Sequence, residues 1–177
     1  MLSRYGRLLA DALTAARVIL SAYLVWLGFS GGASALSSAI LVLLAAWLTD
    51  VLDGMLARRS QTKTPSWIGR HEDMADMTMS LGVIGYLVFS GFLASPVGAV
   101  LAFVILALWL YSYPLAWPIY AIPYVILFLI ALQFAPLFAW ILAAYLLIAL
   151  ILRGPRLLRE YLPQLIQSLR HPRRRDH

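Results

Sequence analysis

The chain has 177 residues, 62% of them hydrophobic and 12% charged, with no cysteine and a formal net charge of +6. A soluble domain needs a charged surface, so this composition, with a mean hydropathy of +0.82, describes an integral membrane protein. The lack of cysteine excludes disulfides, thiolate nucleophiles and sulfur-ligated metals, so any metal site must use oxygen or imidazole.

The N-terminal MLSRYGRLLADAL begins with a short basic amphipathic stretch carrying Arg4 and Arg7, expected to lie on the membrane surface as a juxtamembrane helix. A helix needs roughly 20 apolar residues to cross the hydrocarbon core, and such segments follow at about 11–30, 34–57, 72–94, 97–113, 118–134 and 136–153. The breaks between them read SGGAS, RRSQTKTPSWIGR, ASPVG, SYPLAWP and QFAP, each with the Gly or Pro that ends a helix. The expected fold is therefore all-α, with six transmembrane helices. Residues 1–153 form one membrane domain and 154–177 a basic tail. In that tail Leu157, Leu158, Tyr161, Leu165 and Leu169 recur at near-helical spacing between arginines, interrupted at Pro163, as in a lipid-surface helix or a simple solubilising segment. Two N-terminal arginines, an apolar run and Ala33 to Ala35 have the look of a cleaved leader, but Arg17 interrupts the run and further apolar segments follow.

Charge placement sets the expected topology. Basic residues gather at the N-terminus, at Arg58, Arg59, Lys63 and Arg70, and from Arg153 onward, whereas SGGAS, ASPVG and QFAP carry none. Both termini and the 58–70 loop are then cytoplasmic. SYPLAWP is uncharged and is neutral on the point. The clusters suit anionic lipid headgroups; nothing in them has the aromatic interleaving of a nucleic-acid surface. Arg17 alone of the basic residues falls inside an apolar run.

The unexpected residues are acidic. Asp50, Asp53, Gly54 and Ala57 follow i, i+3, i+4, i+7 and share one helix face, with Arg58 beside them. Across the loop, Glu72 and Asp76 are spaced i, i+4, and Asp73 and Asp76 i, i+3, at the start of the third segment. The second and third segments are antiparallel neighbours, so their acidic ends meet at one depth. Each acid near the membrane centre costs about 2.5–3.5 kcal/mol on insertion scales. Repulsion adds about 4 kcal/mol per pair at 4 Å and an effective dielectric of 20. Such a cluster must protonate, pair with arginine or bind cations. Arg58, Arg59 and Arg70 can neutralise part of it, and hard divalent ions with oxygen ligands, Mg²⁺ or Mn²⁺, do so better. Helix-dipole charge at a first turn accounts for Glu72 and Asp73, but not for Asp50 and Asp53, which precede the end of their segment.

Asp50-x2-Asp53-Gly54-x2-Ala57-Arg58, followed by Gly69 and a further acidic pair, resembles the signature of the CDP-alcohol phosphotransferases. LTAARVIL and LTDVLDGMLARR are similar to the corresponding segments of bacterial members, and the resemblance covers residue 1 to about 153. It implies a six-helix enzyme of phospholipid synthesis in the bacterial inner membrane, commonly a homodimer, with a cytoplasmic active site. It also implies two divalent ions, Mg²⁺ or Mn²⁺, which bind the pyrophosphate of a CDP-linked lipid donor such as CDP-diacylglycerol. A small polar alcohol attacks the lipid-side phosphorus, CMP leaves, and a carboxylate, here Asp76, takes the proton. Gly54 and Ala57 let the nucleotide lie against the helix, with Arg58 and Gly69 beside it; Thr49 touches the cytidine side or is a capping or packing hydroxyl.

The second half of the motif departs from the family's pattern of glycine, three residues, aspartate, three residues, aspartate. Gly69-x3-Asp73 keeps the first interval, but the position four further on is Met77. Either Asp73 is the third metal ligand with Asp76 three residues on, or Glu72 is the third with Asp76 at i+4. The second is preferred, because a helix face constrains two ligands more tightly than one residue of loop length does. The implied ligand set is Asp50, Asp53, Glu72 and Asp76, with Asp73 as the alternative to Glu72.

The last three segments hold no Lys, Arg, Asp or Glu before Arg153, so an anionic acceptor would rely on Lys63, Arg70 and Arg153 at the cytoplasmic rim. His71 reads as a headgroup-facing residue, and Gly82, Gly85 and Gly91 as small residues permitting close packing. Two other functions stand beside the enzyme: a relative that binds CDP-lipid and metal without turnover, and a cation channel or transporter. Transport would need polar residues through to the far side, and those segments offer no acid there.

Overall fold

The computed structural model describes residues 2–59, 72–111 and 113–156, with side chains over 11–52, 74–111, 116 and 118–151. Among these residues the chain is all-helical. α1 runs Leu2–Gly31 and a 3-10 turn Gly32–Ala35 leads into α2, Leu36–Arg59; α3 is Glu72–Phe89, α4 Ser95–Tyr111, α5 Tyr113–Phe134 and α6 Pro136–Arg156.

The helix ends follow local chemistry. Gly32, at φ +55°, turns the chain between α1 and α2. After α3, Gly91 takes φ +82°, and backbone N–H groups of Ser90, Gly91 and Leu93 donate to the carbonyls of Tyr86, Val88 and Leu87 at 2.9, 3.1 and 2.9 Å. A left-handed glycine there satisfies the last-turn carbonyls and stops the helix. The third segment therefore ends at Phe89, short of the expected residue 94. Pro136 opens α6, where its missing N–H costs nothing.

Two expectations are corrected. From Leu2 the basic N-terminal stretch is no separate juxtamembrane element: it is the beginning of α1, a continuous helix of 30 residues. SYPLAWP is no extended break, because α5 already begins at Tyr113 and takes Pro118 and Pro123 into its interior. Proline is tolerated in the first helical turn, and inside apolar bundles neighbours can satisfy the carbonyls it frees.

α3 is the central helix, packed against α1, α4 and α5. α1 also packs on α2, and α6 closes against α2 and α5. The α1–α3 contact is the tightest, and glycine is why. A Cβ on Gly82 would fall 2.7 Å from the Ser21 carbonyl oxygen and 2.9 Å from its Cα; one on Gly28 would fall 2.9 Å from the Tyr86 Cα. Gly85 meets Val25 in the same way. Gly82 and Gly85 thus act as the expected small-residue contacts. Gly91 does not; it serves the turn, with open space where a Cβ would be.

Leu24, Ile40, Leu43, Met79, Val83, Tyr86, Leu127 and Leu142 fill the core between α1, α2, α3, α5 and α6. Outward, large apolar side chains stand exposed along α6, among them Leu137, Trp140, Leu147 and Ile151. The stretch Asp11–Leu52, 42 residues whose mean hydropathy reaches 2.0, is long and apolar enough to cross a membrane, and it folds back on itself as α1 and α2. Met74–Phe89, Ser95–Tyr111, Pro118–Phe134 and Pro136–Ile151 are shorter apolar helices.

Candidate active site

One face of α1 carries Thr14, Arg17, Ser21 and Leu24 at helical spacing, all four buried. This stripe changes from polar to apolar along the helix, and its polar part meets α2 and α3. Ser21 Oγ donates to the Thr78 carbonyl of α3. One turn earlier, Arg17 NH1 donates to Asp50 Oδ1 of α2 and to Asp76 Oδ1 of α3, each at 2.8 Å. The Arg17 side chain is 2% exposed, against 29% for Asp50 and 38% for Asp76. The guanidinium is thus enclosed behind two carboxylates that keep a wetted side. Burying an arginine is tolerable only with such partners.

A layer of aromatic rings and hydroxyls lies one turn from the acids, on the side away from the 60–71 connection. Trp47, three residues before Asp50, stands edge-on to Tyr124 of α5 at 5.4 Å and stacks on Tyr145 of α6 at 5.6 Å. Ser80, four residues after Asp76, has its Oγ 3.2 Å from both the Tyr120 carbonyl and the Tyr124 hydroxyl. Tyr124 is near enough to feel the charges of Asp76, Arg17 and Asp50. Residues of four helices therefore close the inner end of the acidic site.

The residues singled out in the sequence fall into three sets. Asp50 and Asp76, 26 positions apart in the chain, are brought together. Thr49 is described too, and its Oγ1 donates to the Ala46 carbonyl of its own helix at 2.7 Å. Asp53, Gly54, Ala57 and Arg58 lie in the last turns of α2, Glu72 and Asp73 begin α3, and Arg153 is near the end of α6; their side chains lie outside the described residues. Gly69, Lys63 and Arg70 lie outside them altogether, as does the tail from 157.

Arg17 is the residue that sequence reasoning left unassigned. The sequence offers Arg58, Arg59 and Arg70, near the acids in the chain, as neutralising cations, whereas the partner described for Asp50 and Asp76 comes from α1. A signal was present: a lone arginine inside an apolar run demands a buried acid. Ser80, Tyr120 and Tyr124 carried no comparable signal, since hydroxyls in apolar helices commonly bond to a nearby backbone.

Among the described residues, no three of His, Asp and Glu converge as a metal site; of the implied ligands, only Asp50 and Asp76 have described side chains. These two fit a hard cation. Both offer carboxylate oxygen, and because one nitrogen contacts both, their Oδ1 atoms lie no farther apart than twice 2.8 Å. Carboxylate oxygen is the donor type that Mg²⁺ and Mn²⁺ take.

Residues 7–160 match the family model of the CDP-alcohol phosphatidyltransferases, and Arg17, Asp50 and Asp76 all fall inside the matched range. With most of its length matched, the chain belongs to that family. Its members are membrane-associated transferases of phospholipid synthesis that use CDP-alcohol donors and alcohol acceptors and generally depend on divalent metal ions. Comparisons with curated proteins and with solved structures give no match.

Proposed function

We propose that this protein transfers a substituted phosphate group from a CDP-linked lipid of the CDP-diacylglycerol kind to a small polar alcohol, releasing CMP. The observation that carries the reading is the convergence of Asp50 and Asp76 from two helices on one buried arginine, inside a chain of this family. Acids held together at that cost in an apolar bundle are there for a charged ligand.

Asp50, Asp53, Asp76 and Glu72, with Asp73 as the alternative to Glu72, are the residues that would hold two divalent ions. When bound, such ions offset charge on the pyrophosphate and on the departing CMP. Asp76 has the general-base role: the acceptor oxygen bonds to the lipid-side phosphorus, the bond from that phosphorus to CMP breaks, and the acceptor's proton passes to the Asp76 carboxylate. Gly54, Ala57, Arg58 and Gly69 form the nucleotide side, with Thr49 at its cytidine end or packed within its own helix. Lys63, Arg70 and Arg153 receive an anionic acceptor. The bundle spans a bacterial inner membrane six times as a homodimer, with both termini and the site cytoplasmic and the basic tail on anionic lipid.

The test is CMP release from CDP-diacylglycerol in detergent or liposomes with Mg²⁺ or Mn²⁺. Glycerol 3-phosphate, inositol, inositol phosphate, serine and choline are supplied one at a time. The expected outcome is metal-dependent release with one acceptor, reduced by at least about a hundredfold in Asp76→Asn, the scale of a lost general base. Release unaffected by Asp76→Asn would remove that residue from the chemistry. Counted from Gly69 and Asp73, the position of the family's last aspartate falls on Met77, and that alignment favours a second reading: a relative that binds donor and metal without turnover. Binding with no CMP release for any acceptor would support it.

A further inference from the structure

The ion triad holds an asymmetry. Arg17 is almost completely enclosed, yet its two partners keep 29% and 38% of their side chains in the open. A single nitrogen serves both carboxylates, one Oδ1 each, at 2.8 Å. Without a cation between them, two carboxylates on α2 and α3 would push those helices apart. Arg17 supplies such a cation, from a third helix.

Resting on the metal-dependent reading above, we propose that Arg17 is the resident counter-ion of the site. It keeps Asp50 and Asp76 assembled when no divalent ion is bound, and it competes with that ion for their charge. The physical argument is one of shared partners. A carboxylate has lone pairs enough for more than one donor, so arginine and metal are not strictly exclusive. A divalent ion drawing on the same two oxygens nevertheless stands next to a guanidinium that water cannot screen, and like charges that close repel. The coupling is reciprocal: the arginine weakens the metal's hold on the site, and the metal weakens the arginine's hold on the acids. Arg17 is a positioning residue. It sets how tightly the site takes its ion and keeps the empty site formed.

The test uses the full chain in detergent, with Mn²⁺ as the probe. Free Mn²⁺ is followed by its electron paramagnetic resonance signal, and thermal unfolding is measured in EDTA and in excess Mn²⁺. Arg17→Gln removes the charge; Arg17→Lys keeps it on a shorter arm. The expected result is an Arg17→Gln protein that binds Mn²⁺ at least about tenfold more tightly than the parent, and an Arg17→Lys protein within about threefold of it. Arg17→Gln should also melt earlier than the parent in EDTA and regain most of the difference in Mn²⁺. Unchanged or weaker Mn²⁺ binding in Arg17→Gln overturns the inference. If Arg17→Gln does not fold in EDTA, preparation in Mn²⁺ should restore a monodisperse helical protein, and failure to do so overturns it equally. A parent protein that binds Mn²⁺ and releases CMP while Arg17→Gln binds no more tightly sinks this inference alone. A parent that binds no Mn²⁺ even with CDP-diacylglycerol present sinks the metal-dependent function with it.

Discussion

Asp50 and Asp76 share one arginine nitrogen, and the energetics of each follow from the other two members. Replacing both acids with alanine leaves Arg17 buried without these two partners, a change worth about 3–5 kcal/mol for a fully buried pair and less here because both acids keep a wetted side. Removing all three charges costs less than removing two, since an apolar replacement has nothing left to satisfy. Thermal unfolding in EDTA should therefore rank Arg17→Met/Asp50→Ala/Asp76→Ala above Asp50→Ala/Asp76→Ala. The reverse order would mean that the arginine has other partners sufficient to keep it. At this scale the acids were legible in the sequence, because a carboxylate inside an apolar run announces its own cost. Their pairing with Arg17 was not, although a lone arginine in an apolar run stood out by itself. Arg17 stands 33 and 59 positions from the two acids, and helix periodicity relates only residues a turn or two apart.

Among the helices, α1 and α3 fix the site because they approach so closely at glycine. Gly82 has the Ser21 backbone where a methyl group would go, and Ser21 is one turn beyond Arg17. Gly82→Ala should therefore do two things: destabilise by about 1–3 kcal/mol, as overpacking does, and lower CMP release by shifting Arg17 away from Asp76. Gly91→Ala is the contrast. Its φ of +82° makes alanine cost about 1 kcal/mol, with no neighbour to displace and no expected change in turnover. Unfolding temperature and CMP release measured together separate the two; equal losses of turnover would refute the distinction. The apolar runs and the glycines that join them were readable in the sequence; α2 and α6 begin and end, and α1 ends, close to the expected positions. SYPLAWP misled because proline was read as a stop, whereas here Pro118 and Pro123 sit inside α5. The N-terminal basic stretch misled in the opposite sense: its charges suggested a separate element, yet the backbone continues unbroken into α1.

Among the described residues, the polar side chains that meet across helices gather on α1, α2, α3 and the middle of α5, while large apolar groups face outward on every helix. That division has a consequence for synthesis. A chain entering a membrane from its N-terminus brings Arg17 in first, and the charge costs about 2.5–3.5 kcal/mol on insertion scales until its partners arrive. Asp50 arrives with α2, but Asp76 lies 59 residues beyond the arginine, so the first helix waits for the third. α1, α2 and α3 should then commit to the lipid as a group. In a series of truncated chains, those ending after α2 should be extracted by alkaline carbonate far more readily than those ending after α3. Arg17→Leu should erase the difference. The ion triad would then act first as a checkpoint in biogenesis, before any substrate is bound.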